Sequence, residues 1–120
     1  MWLATKFGFF SVVLARKDSQ SLDSTKVMIR ARMREHLEAL VAQFPDDLGE
    51  LKIIESKHTD YRWRIICDKT IWAKCLAALG EQIDYGNFKA ACAKEHGQNS
   101  NYVRALHEIW HVFATIQSKR

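Results

Sequence analysis

Residues 107–111 read His-Glu-Ile-Trp-His, a literal H-E-x-x-H. On a helix, histidines four apart share a face and can hold one zinc ion, with the glutamate as general base. A catalytic zinc also needs a third protein ligand. None follows, because nine residues remain after His111 and none is His, Asp, Glu or Cys. Ala114 stands where the extended form of the motif has glycine. A third ligand would have to come from upstream, for example from His36, His58 or His96. On a helical wheel His107 and His111 lie beside the apolar stripe with Arg104 and Glu108, the place of a solvated pair. A zinc-dependent hydrolase through His107, Glu108 and His111 is therefore the alternative reading.

Arginines form the second constellation. Arg30 and Arg32 alternate with Ile29 and Ala31, and Arg62 and Arg64 alternate with Tyr61, Trp63 and Ile65. In strands such alternation sends the charged set to one side. Guanidinium groups bind phosphate bidentately and stack on bases, so this face suits an anion or a nucleic acid. Lys6 and Phe10 are expected to border it. The plainer account pairs the arginines with Glu55, Asp60 or helix carboxylates.

Tyr85-Gly86-Asn87-Phe88-Lys89 is the third. Asn87 caps a helix, and Lys89 adds positive charge where free amide hydrogens could meet an anion. Nucleophilic chemistry has little support. Ser11 lacks the G-x-S-x-G elbow, and no phosphate-binding glycine loop occurs. No catalytic residue is assigned.

These groups need elements to position them. Residues 1–16 are apolar and aromatic and read as one long extended stretch with a bend at Gly8. Residues 17–25 read as a loop, 27–32 as a strand, and 33–44 as a helix with Leu37, Leu40, Val41 and Phe44 inward and Pro45 as its stop. Strands follow at 51–58 and 61–67. Asp68 or Thr70 caps a helix that buries Trp72, Cys75, Leu76, Leu79 and Ile83. A short helix ends at His96-Gly97. The last, about 101–117, carries the stripe Val103, Leu106, Ile109, Trp110, Phe113 and Ile116.

The expected fold is α+β: a mainly antiparallel sheet in β-β-α-β-β-α order, a permuted ferredoxin-like arrangement, with two extra C-terminal helices. The 120 residues predict one domain. A net charge of +4 permits an anionic partner without requiring one. Cys67, Cys75 and Cys92 are odd in number and lack C-x-x-C spacing, which suits reduced thiols in a cytoplasmic protein. Arg16 and Lys17 directly after the first apolar run speak against a secretory signal, and no run is long enough to span a membrane.

The segments MWLATKFGFFSVV, IRARMREHLEAL, DYRWRIICDK, IDYGNFKAAC and HEIWHVF together resemble a family of short uncharacterised bacterial proteins. Its members share an M-W-x-x-T-x-x-G-F-F-S start, an R-A-R segment, a D-Y-x-x-R segment and a Y-x-N-F-K segment. The resemblance spans almost the whole chain and attaches no reaction to it. It implies that Ser11, Arg30, Arg32, Asp60, Tyr61, Arg64, Tyr85, Asn87 and Lys89 are motif positions.

The leading expectation is a non-enzymatic binding or interaction domain without a cofactor. It would meet a protein or nucleic-acid partner, not a membrane, through Arg30, Arg32, Arg62, Arg64, Asn87 and Lys89. Besides the zinc hydrolase, a third reading is a homo-oligomer joined through exposed strand aromatics.

Overall fold

The first sixteen residues make a hairpin instead of one bent strand. In the computed structural model, which describes residues 1–117, strand β1 (Trp2–Thr5) pairs antiparallel with β2 (Gly8–Arg16), Thr5 opposite Gly8. The turn is Lys6-Phe7, which carries no ordinary turn signal. Thr5 builds it: its hydroxyl accepts from the amides of Phe7 and Gly8 at 3.1 and 3.2 Å and donates to the Gly8 carbonyl at 3.0 Å. Gly8 is required for a different reason than bending. A Cβ there would lie 2.3 Å from Cγ of His36, so only glycine admits the imidazole.

Strand β3 (Leu22–Ala31) starts five residues before its expected position. Its first half pairs with the end of β2 after a register shift between Leu14 and Ala15. The side chains there are polar and mostly exposed, so composition suggests a loop where the backbone makes a ladder. The true turn is shorter. Asp18 closes it by accepting from the amides of Gln20 and Ser21 at 2.8 and 2.9 Å, and these bonds hold its carboxyl below the usual range.

Helix α1 (Arg34–Gln43) stops before Pro45 as expected, but Pro45 then opens a further single turn, α2 (Pro45–Leu48). Proline at the first helical position loses no hydrogen bond, since that amide has no partner inside the helix. The strand expected over 51–58 shrinks to β4 (Ile54–Glu55), while Leu51 and Ile53 pack on the core outside any strand. Strand β5 (Trp63–Asp68) leads straight into α3 (Lys69–Glu81). Asp68 stands at the cap position without a capping bond and pairs instead with Lys26 at 2.8 Å. Ile83, expected on the buried side of α3, is exposed.

The strands form one antiparallel sheet in the order β1-β2-β3-β5-β4. Alternation sorts its side chains. Phe10, Val12, Val27, Ile29, Ala31, Ile65 and Cys67 point to one face and meet Leu37, Leu40, Phe44, Leu48, Trp72, Cys75 and Leu79 of the helices. Phe10, Ile29, Leu37, Leu40 and Ile65 are fully excluded from water, each worth about 1.5–3 kcal/mol relative to exposure.

The chain divides into two compact units. The sheet with α1, α2 and α3 occupies Met1–Ile83. The remainder carries α4 (Phe88–His96) and α5 (Asn101–Ile116). Asn87 and Ser100 cap these two helices, accepting from Ala90 and Val103 at 2.9 and 3.2 Å. Gly97 ends α4 at φ +94°, a region that favours glycine. All three cysteines are buried. Burial pushes Cys67 up and carries Cys75 and Cys92 to about 11, so they act as small apolar fillers. Among the described residues no helix is long and apolar enough to cross a membrane.

Candidate functional site

The opposite face of the sheet is built from the alternate residues of the same strands. One row of cross-strand neighbours runs over all five: Trp2, Ser11, Arg30, Arg64 and Ile54. The next row holds Val13, Met28 and Ile66. Trp2 is 73% exposed and meets Phe9 edge to face, with ring centroids 6.0 Å apart.

Arg30 and Arg64 stand directly opposite each other. Side chains in such positions are close neighbours, and like charges there destabilise the pair. Burial, and then Arg30, pushes the Arg64 guanidinium below its usual range; an arginine so shifted still carries its charge at neutral pH. The fold holds the two in place with neutral acceptors. Arg30 donates to the Ser11 hydroxyl at 2.7 Å. Arg64 donates to Thr59 Oγ1 at 2.7 Å, to the Tyr61 carbonyl at 2.8 Å and to Met28 Sδ at 3.2 Å. Arg32 joins them by donating to the Asp60 carbonyl at 2.8 Å.

Tyr61 is the platform. Its ring is 4% exposed, with the Arg30 and Arg32 guanidinium carbons 4.7 and 4.5 Å from its centroid. Guanidinium over an aromatic face is attractive and fixes the plane of the cation. Among the described residues, none of Arg30, Arg32 and Arg64 forms an ion pair with a carboxylate. The result is a cluster of three oriented cations whose bonds go to hydroxyls, carbonyls and a thioether.

The cluster departs from the expected face in two places. Arg62 does not join it. Its Nη2 lies 2.6 Å from Glu55 Oε2, and its guanidinium sits over Trp63 at 5.5 Å. Arg62 precedes the first residue of β5, so strand alternation does not govern it. Phe10 points into the core, and Lys6 sits in the hairpin turn over Phe7. Phe9 takes the place expected for Phe10. Tyr61 and Thr59 lie in the loop before β5, where periodicity is silent. Ser11, Arg30, Arg32, Asp60, Tyr61 and Arg64 come together here.

Asn87 and Lys89 belong to the second unit. The Asn87 side chain is spent on its cap. Lys89 Nζ lies 3.4 Å from His107 Nδ1 and 4.5 Å from the centre of the Trp110 ring. Lys89 and His107 border a cleft of about 550 Å³, with Arg104 and Glu108 on its wall. The arrangement weakens the zinc reading. An ammonium beside His107 opposes a dication there. His36 is buried and accepts from the Phe9 amide at 3.2 Å, and His96 meets Tyr102 edge to face with ring centroids 4.9 Å apart. Among the described residues no group of three His, Cys, Asp or Glu side chains is placed to hold a metal.

Comparison of the chain with protein-family models, with curated proteins and with solved structures finds no match.

Proposed function

We propose that this protein is a non-enzymatic nucleic-acid-binding domain that takes a single strand on its basic sheet face. The observation that carries the reading is the trio Arg30, Arg32 and Arg64: three guanidinium groups held in place with no carboxylate bound to them among the described residues. Structural arginines normally have an acidic partner, and Arg62 has one in Glu55. Phosphate oxygens supply the missing charge, and the planar fork matches them bidentately. Trp2 and Phe9, at the other end of the same surface, offer rings on which bases stack.

The sheet order supports a finer reading of the fold as a permuted ferredoxin-like domain. From β3 the chain runs strand, helix, strand, strand, helix, and β2 lies beside β3 where the last strand of that arrangement belongs. β1 is then an added edge. Four-stranded sheets of this kind present an uncovered face to single-stranded RNA. The buried, protonated thiols support a reducing, cytoplasmic setting.

Fluorescence anisotropy of labelled single-stranded RNA and DNA tests the proposal. Binding should weaken with salt, with log K falling against log salt at a slope near −2, since each neutralised phosphate contributes about 0.7. Arg32→Ala should flatten that slope. Trp2→Ala should weaken binding by ~10-fold, the cost of one stacked base. Retention that ignores salt, or that survives Arg32→Ala and Arg64→Ala together, overturns the reading.

A further inference from the structure

The last helix carries an apolar row that its own unit covers only in part. Tyr102 and Leu106 begin the row and are buried. Ile109, Phe113 and Ile116 continue it at the alternating three- and four-residue spacing of a helix–helix seam. Val112 and Trp110 flank it on either side. These five side chains are left exposed: Ile109 41%, Trp110 56%, Val112 60%, Phe113 60% and Ile116 72%. Scattered apolar side chains on a surface need no explanation, but a contiguous row on one helix face marks an interaction site.

Area and spacing identify the occupant. At those exposures the five side chains present on the order of 600 Å² of apolar surface, judged from the area an aromatic or large aliphatic side chain offers. Two copies joined through this face would bury roughly 1,200 Å², the lower bound for a specific, stable interface. The row also complements itself. When two copies of α5 lie antiparallel about a two-fold axis between Val112 and Phe113, Ile109 of one faces Ile116 of the other, and Val112 faces Phe113. Arg104, Glu108 and His111 lie away from the row; Lys89 sits over the flanking Trp110 ring and keeps its ammonium at the solvated rim when the row is covered. Opposed helix dipoles favour the antiparallel sense.

We infer that the chain forms a homodimer through the 109–116 half of α5, with the two helices antiparallel. Sedimentation equilibrium of the full chain at micromolar concentration tests this, with twice the monomer mass expected. Phe113→Glu should raise the dimer dissociation constant by ~100-fold or more and should make the melting temperature independent of protein concentration, whereas that of the wild type rises with concentration. Ile109→Lys and Ile116→Glu should each be monomeric alone and form a heterodimer when mixed, since the lysine then meets the glutamate and the two remaining isoleucines meet each other. That mixing result requires the antiparallel register and stands even if Phe113→Glu fails to fold. A wild-type monomer at the same concentration, or a dimer that persists in both Phe113→Glu and Ile109→Lys, overturns the inference.

Discussion

The two faces of the sheet are made by the same strands, residue by alternate residue, and they obey opposite rules. On the core face Val12, Ile29 and Ile65 face one another across β2, β3 and β5, dry and apolar. On the other face the neighbouring positions Ser11, Arg30 and Arg64 set a hydroxyl and two cations side by side. The core face lowers the free energy of the folded chain. The arginine face raises it by like-charge repulsion, and the fold offsets this with Tyr61, Ser11 and Thr59. On the nucleic-acid reading proposed above, such an arrangement trades stability for affinity for an anion.

The contrast can be broken most strongly from the core side. Ile29→Ala should remove about 2–5 kcal/mol of stability, because a fully buried side chain leaves a cavity among well-packed neighbours. Urea denaturation measures it, and a loss below 1 kcal/mol would mean the site collapses to fill the gap. Gly8→Ala should cost about 1–3 kcal/mol by overpacking, since its Cβ would overlap the His36 ring. In a His36→Ala background, where the ring is gone, adding Gly8→Ala should cost little further stability in the same denaturation assay.

Arg30→Met tests the other face. It removes a charge from opposite Arg64 and keeps most of the apolar stem, so stability should change by less than about 1 kcal/mol. Oligonucleotide affinity should fall in the same variant. A large loss of stability with unchanged affinity would reverse the roles assigned to the two faces.

The smallest effect is one of pH. Cys67 on the core face and Cys75 behind it have thiols raised by burial, Cys75 to about 11. The unfolded chain ionises these thiols near their ordinary value of 9.0, while the folded chain keeps them protonated. Stability should therefore be fully present below pH 9 and decline as pH rises toward 11. The melting temperature of wild type compared with Cys75→Ala across this interval measures the decline, which should be shallower in the variant.

Much of this was legible in the chain because the period of apolar residues reports burial directly. The Asn87 cap, the stop before Pro45 and the inward set of β3 follow from local chemistry. Arg30, Arg32 and Arg64 were legible as a basic face for the same reason. The hairpin was not, because Lys6-Phe7 is not a turn pair and the Thr5 hydroxyl makes the turn. Tyr61 was not placed under Arg30 and Arg32, because a loop residue has no periodicity to read. The stripe of α5 was legible as a stripe, yet periodicity cannot say whether the same unit covers it. Leu106 is buried and Phe113 is not.

The edges of the sheet carry one more consequence. β4 offers two residues and β1 four. An edge that short gives an incoming strand few amide and carbonyl groups to ladder onto. The sheet is thereby poorly suited to growing from molecule to molecule by strand addition, the route to fibrils. Association is left to side-chain surfaces, where it can be limited to two copies and reversed.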